Sequence, residues 1–256
     1  MDDLNILGEF NLPDNRRLHV LQDLSPENPR MSCEHFATMI CGHRRYHLGD
    51  HQAETGGPDE LAQFILEAIN EDLQDNRLSG QVRRKADEDY TKLTKALEKY
   101  HKTGIVQPLL DVMHSVAILQ KIFMYEHSGI AISLTSFNDR WDSGTLGYVF
   151  VTHTRIREQL TGGRWENSTW IPGTGKLTAA RKARARELLK LEFEEYAAYI
   201  EGEAYGYEIA AGPDFAYEDG CWGYFGDWHE VIHQLRDTDQ AFLRASYPGV
   251  FPKGRK

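Results

Sequence analysis

At 256 residues, 41% of them hydrophobic, the chain can bury a sizeable apolar core without staples, and its formal net charge of −10 excludes broad, nonspecific wrapping of nucleic acid. Three cysteines, Cys33, Cys41 and Cys221, exclude a complete intramolecular disulfide framework and favour a reducing compartment. The acidic opening Met1-Asp2-Asp3 and the lack of any window near the roughly 18 apolar residues of a membrane span predict a cytoplasmic protein whose partners are proteins or small molecules.

In chain order, Arg17 to Asp23 alternates as a strand that Ser25-Pro26-Glu27-Asn28-Pro29-Arg30 stops. Glu34 to Tyr46 carries Phe36, Met39 and Ile40 at helical or mixed spacing and ends in the polar group His43-Arg44-Arg45-Tyr46-His47-Leu48-Gly49-Asp50. Gly57-Pro58-Asp59-Glu60 opens a helix with Leu61, Ile65, Ala68, Ile69 and Leu73 on one face. Further helices are predicted over Val82 to Lys102 and Val106 to Phe123, so residues 55–124 read as a helical insertion.

Strands are then predicted at Ile130 to Leu134 and Gly147 to Val151, pairing as neighbours across a turn-rich loop, Asn138 to Gly144. A long helix over Thr178 to Ile200 places Ala185, Leu189, Phe193, Tyr196 and Ile200 on one face to cover the sheet. Tyr205 to Ile209 and Cys221 to Phe225 are two more strands, and a final helix begins near Asp227 with Glu230 in capping-box position. The sum is a single α+β domain over 1–256, a mainly antiparallel sheet flanked by helices, with the helical stretch inserted in it.

The sharpest generic motif is His229-Glu230-Val231-Ile232-His233, which matches H-E-x-x-H. On an α-helix the two imidazoles stand one turn apart and share a Zn²⁺, and Glu230 activates water. No His or Glu follows His233, so a third ligand must come from Asp237, Asp239 or upstream. Cys33-x-His35 and Cys41-x-His43 offer a second zinc set, with a spacing that matches no common zinc module. Gly173-Thr174-Gly175-Lys176 lacks the rest of a phosphate loop. The reading adopted therefore requires no cofactor, with zinc as the alternative.

Tyr125-Glu126-His127-Ser128-Gly129 and Trp141-Asp142-Ser143-Gly144 each precede a strand, which would set His127 and Asp142 near one rim; with Cys221 they would compose a Cys-His-Asp set. The same residues serve equally to fix tight loops. Lys176, Arg181, Lys182, Arg184 and Arg186 gather positive charge at a helix start, where it opposes the dipole, and so suggest an anionic partner or a solvated face balanced by Glu192, Glu194 and Glu195.

Three stretches together resemble an uncharacterised family of proteins encoded by phages and other bacterial mobile elements. They are Asn28-Pro29-Arg30 with His43 to Asp50; Tyr125 to Gly129 with Trp141 to Gly144 and Gly147; and Tyr205-Gly206-Tyr207 with Cys221 to Gly226. The resemblance carries no catalytic residues and does not include the H-E-x-x-H pentapeptide. What it implies is a setting, a bacterial host cell, and a class of accessory proteins that act on restriction or CRISPR defence.

The resulting expectation is an anti-defence inhibitor that binds a host protein or a defence ribonucleoprotein complex. Its candidate binding residues are Tyr125, His127, Trp141, Asp142, Cys221, Trp222, Arg181 and Arg184. The alternatives are a zinc hydrolase at His229, Glu230 and His233, and a small-ligand or nucleotide binder using the glycine-aromatic loops.

Overall fold

A computed structural model describes residues 5–32, 35–74, 78, 80–139, 141–161, 164–166, 169–171, 176–212 and 216–251. The architecture is α+β, with mainly antiparallel sheets and flanking helices, organised in two compact units. One unit combines residues 1–33 with 194–256; the other is the continuous stretch 34–193.

The first unit is built on a four-stranded antiparallel sheet in the order β1-β2-β10-β11. Strands β1 (Ile6–Leu12) and β2 (Arg16–Gln22) form a hairpin whose turn holds Asp14 and Asn15 at φ 60° and 56°. Short polar side chains tolerate that left-handed conformation, which matches the twist of a tight hairpin. Strand β1 was not anticipated from the sequence. Pro29–Ser32 forms a single helical turn, α1, after β2.

Strands β10 (Ala204–Ala211) and β11 (Ala216–Phe225) pair across Gly206↔Trp222 and Tyr207↔Cys221. A Cβ on Gly206 would lie 2.3 Å from the Trp222 ring, so the indole lies over a glycine that leaves it room. One face of the sheet buries Phe10, Leu18, Val20 and Ile209 against Val231, Ile232, Leu243 and Phe251. Arg16 and Asp239 close this core with a bidentate ion pair at 2.8 and 2.6 Å, at 9% and 0% exposure.

The second unit carries a five-stranded sheet, β4-β3-β7-β5-β6. Thr38–Cys41 is strand β3, where mixed spacing had left a helix open; Met39 and Ile40 are both buried, as in a strand covered on two faces. His51–Gln52 (β4) pairs parallel to it. Helices α2 (Pro58–Gln74), α3 (Gly80–Thr103) and α4 (Gln107–Val116) follow and share a core of Leu61, Ile65, Leu93, Leu109 and Met113 with Phe150.

The helix expected to reach Phe123 stops at Val116. Ala117 turns extended while its N–H still bonds the Met113 carbonyl, and Ala117–Glu126 becomes strand β5. This strand corrects the predicted sheet. Strands β6 (Ile130–Ser133) and β7 (Ser143–Thr152) are not partners, because β5 lies between them and pairs with both. From Val116 to Leu119 four apolar residues run together, and Ile122 and Phe123 follow at helical spacing, so the apolar pattern continues past the end of α4 and does not mark the change from helix to strand.

Gly147 allows the β3–β7 approach, since a Cβ there would meet the Ile40 carbonyl oxygen at 1.9 Å. After β7, Thr152 caps α5 (His153–Leu160) by accepting the Arg155 N–H, and its hydroxyl donates to Asp72 of α2 at 3.0 Å. A short hairpin, β8 (Arg164–Glu166) and β9 (Thr169–Ile171), precedes α6 (Ala179–Glu201). Within this unit the Glu192 carboxylate of α6 accepts the N–H groups of Phe36 and Ala37 at 2.7 and 3.0 Å.

A candidate recognition site at the end of the five-stranded sheet

Two of the motif-bearing segments meet where β5 turns into β6. The β5–β6 loop is His127-Ser128-Gly129, with Ser128 at φ 59° and the His127 N–H bonded to the Gly129 carbonyl at 3.2 Å. A non-glycine residue in the left-handed region carries strain that the surrounding structure must hold, a feature that clusters at functional sites. The Glu126 N–H donates to the Asp142 carbonyl at 2.8 Å, drawing Asp142 against the end of β5.

There Asp142 accepts from His127 Nδ1 at 3.1 Å, the juxtaposition expected from the sequence. A carboxylate acceptor places the proton on Nδ1 of the neutral ring and leaves Nε2 free to accept. Asp139 shapes the same loop. Its carboxylate accepts the N–H groups of Asp142 and Trp141 at 3.0 and 2.7 Å, and these backbone donors hold its pKa below the usual range. Trp141 projects from this braced loop at 94% exposure.

The other wall comes from the polar group after β3. His43 Nδ1 accepts the N–H groups of Arg45 and Tyr46 at 3.2 and 3.1 Å, so its proton sits on Nε2, which faces Glu126 at 3.5 Å. Arg45 forms an ion pair with the same carboxylate and stacks its guanidinium 5.7 Å from the Tyr46 ring centre. Against partial desolvation, the Arg45 charge and the His43 contact hold Glu126 below the ordinary carboxyl range. Between these walls lies an open concavity of about 510 Å³ lined by Arg45, Tyr46, Glu126, His127 and Ile130.

Tyr125 supports the site from beneath, with its ring 6.3 Å from His127 and 5.8 Å from Phe137. Arg45, Tyr46, Glu126 and Asp139 are members that residue-by-residue reading did not single out as binding residues. The density of polar residues in His43 to Asp50 was the available signal, because such a cluster beside a strand must face either solvent or a partner.

The remaining candidates lie elsewhere. Cys221 and Trp222 sit on β11 of the four-stranded unit, so no Cys-His-Asp set is assembled within the unit that holds His127 and Asp142. Arg184 pairs with Glu187 at 3.2 Å on the exposed face of α6, and Arg181 donates to the Lys176 carbonyl.

The pentapeptide from His229 to His233 is not α-helical. Trp228–Gln234 is a 3₁₀ helix, capped by Asp227 and followed by a break before α7 (Asp237–Ser246). At three residues per turn, side chains four apart diverge by about 120°, so the two imidazoles do not share a face. His229 instead bonds Asp227 through Nδ1 at 2.6 Å and stacks on Trp228, while His233 faces Glu230 at 3.5 Å and Arg244 at 3.2 Å.

In the other zinc set, Cys33 lies outside the described residues and Cys41 is fully buried in β3. Among the described residues, no three His, Cys, Asp or Glu side chains are grouped to hold a metal ion. The residues 173–175 of the glycine-rich stretch also lie outside them. Among the described residues no helix is long and apolar enough to cross a membrane. No protein-family model, no curated protein and no solved structure matches the chain.

Proposed function

We propose that this is a binding protein of a phage or mobile element, acting in the bacterial cytoplasm, which inhibits a host defence complex through the end of its five-stranded sheet. The observation that carries the reading is Trp141, 94% exposed on a loop that Asp139 and the Glu126–Asp142 backbone bond hold in place. A loop whose backbone is held before binding loses little conformational entropy when it docks, and Arg45 and Tyr46 of the same site are residue types enriched in binding hot spots. The resemblance to mobile-element proteins supports the setting, and two of its three stretches supply this surface.

The test is a phage-plating assay in cells carrying a defined restriction or CRISPR system, with co-elution of purified protein and the purified defence complex. Expression should raise plating efficiency, and Trp141→Ala should abolish both protection and co-elution while leaving the circular dichroism spectrum unchanged. Protection that survives Trp141→Ala sinks this surface, and failure to protect against either class of system sinks the inhibitor reading.

One observation favours a second reading, small-ligand binding. A cavity of about 460 Å³ beside β3 and β7 is lined by Gly42, Gln52, Glu60 and Tyr148, among others. In it Gln52 Oε1 is buried and meets no hydrogen-bond partner among the described residues, although its Nε2 donates to the His43 carbonyl at 2.8 Å. A ligand donor would complete that acceptor. Thermal-shift screening of nucleosides against wild type and Gln52→Leu would decide it, since a hit unaffected by the substitution does not use this cavity.

A further inference from the structure

A separate feature of the five-stranded unit goes beyond the protein-binding reading and does not rest on it. The chain carries ten more acidic than basic residues, yet one cavity of about 400 Å³ reverses that balance. Four of its seven lining residues, Arg84, Lys85, Arg157 and Lys176, are cations, and none is acidic. They come from three places: the first turns of α3, helix α5 and the segment entering α6.

The surroundings add charge of the same sign. Lys182 and Arg186 of α6 lie close to Arg157; after desolvation, repulsion from Arg186 and then Arg157 lowers the Lys182 pKa. The carboxylates paired with the cluster are Glu88, which takes Arg84 at 3.7 Å and also Lys85, and Asp89, which takes Arg157 at 3.3 Å. Asp89 and Arg157 are only 16% and 15% exposed, so the guanidinium is held in place, whereas Arg84 and Lys85 remain 75% and 49% exposed.

Helix polarity sharpens the anomaly. Neither α3 nor α6 has an acidic residue in its first turn, while α2 of the same unit has Asp59 and Glu60 there. Cations near a helix N-terminus oppose the macrodipole, so this arrangement costs stability in the free protein, a cost that a bound anion would offset. Gln81 and Val82, at the start of the 24-residue α3, line the cavity and bring that positive end to it.

We propose that this cavity binds the phosphate groups of a small oligophosphate-bearing ligand. Arg157 is the fixed contact, positioned by Asp89, and Arg84, Lys85 and Lys176 close around the anion. A bounded concavity in a protein of net charge −10 suits a compact oligophosphate better than a long backbone, which needs a continuous basic track.

The probe is sodium pyrophosphate, titrated calorimetrically into the full chain at low ionic strength, with a short labelled single-stranded oligonucleotide followed by anisotropy. Wild type should bind one pyrophosphate per chain, more weakly as salt rises. Lys85→Glu/Lys176→Glu should weaken binding at least tenfold. Lys85→Gln/Lys176→Gln, which keeps side-chain size and protects against a folding failure in the first variant, should weaken it several-fold. Trp141→Ala should leave it unchanged, which separates this site from the recognition surface. Absence of saturable binding, or wild-type affinity in both double variants, overturns the proposal. An oligonucleotide that binds more tightly than pyrophosphate and is lost in the same variants overturns the small-ligand assignment in favour of a nucleic-acid backbone.

Discussion

The two units treat buried charge in opposite ways. In the four-stranded unit, Arg16 and Asp239 satisfy each other through two short bonds inside a closed apolar core, and the Asp239 bonds hold the guanidinium more firmly protonated than usual. In the five-stranded unit, His153 is 4% exposed beside Lys182, Arg157 and Arg186, and Asp72 is 6% exposed with Arg155 at 3.5 Å and Thr152 as its hydroxyl donor. Burial pushes Asp72 up to about 6; burial, then the neighbouring cations, pushes His153 down to about 3. In one unit a satisfied ion pair within an apolar core serves the fold. The other keeps electrostatic conflict in place, a pattern that concentrates where ligands bind.

The largest expected effect tests that conflict at His153. Its folded pKa lies below the unfolded value of 6.5, so the neutral ring gives full stability above that pH and loses it as pH falls toward 3. The potential loss is about 5 kcal/mol. His153→Gln, which keeps a donor for the Ser115 carbonyl, should remove this acid sensitivity in urea melts recorded across the range. If wild type and variant show the same pH profile, the buried imidazole is not in conflict with its surroundings.

Breaking the satisfied pair should cost nearly as much. Arg16→Leu strands the fully buried Asp239 carboxylate and should lower unfolding stability by about 3–5 kcal/mol, whereas Arg16→Leu/Asp239→Leu should recover most of it. A double variant no more stable than the single one would mean that the pair itself, and not the abandoned charge, sets the cost.

Asp72 gives a smaller effect of opposite sign. Its folded pKa is raised, so its contribution is full below about 3.8 and fades as pH rises through 6, by about 3 kcal/mol. Between these values the slopes of Asp72 and His153 cancel, and wild-type stability should be nearly flat there as far as this pair is concerned. Asp72→Asn should expose the acid loss due to His153, and His153→Gln should leave stability rising as pH falls. Parallel profiles in the two variants would contradict the assignment.

How much of this was legible follows the range of each signal. Strands β10 and β11, helices α2 and α3, and the approach of His127 to Asp142 all rest on local cues: turn residues beside strands, a proline and acids at a helix start. Strand β5 was hidden because the apolar residues Val116 to Leu119, Ile122 and Phe123 continue the helical spacing of α4, and its misreading as helix also misplaced the sheet order. The pentapeptide misled because its chemistry presumes α-helical spacing, which the 3₁₀ turn denies it. The cationic cavity was half visible in Lys176 and Arg181 to Arg186. Arg157 stands 19 residues before Lys176, and Arg84 and Lys85 stand 92 and 91 before it, so all three join it only through tertiary packing.

Trp141 yields the smallest effect on stability and the most informative on function. Its side chain is almost wholly in water, so Trp141→Ala should change unfolding stability by no more than about 0.5 kcal/mol. If the ring is the anchor of an interface, the same change should weaken partner binding by about 2 kcal/mol or more, roughly thirtyfold. Asp139→Ala separates anchor from scaffold. It keeps the indole but removes the carboxylate that receives the Trp141 and Asp142 N–H groups, so the loop must be ordered on binding instead of beforehand. The expected loss is intermediate and, measured by surface plasmon resonance, should fall largely on the association rate, because fewer free molecules hold the competent loop. A loss confined to the dissociation rate would assign Asp139 a direct contact with the partner and remove preorganisation from the account of this surface.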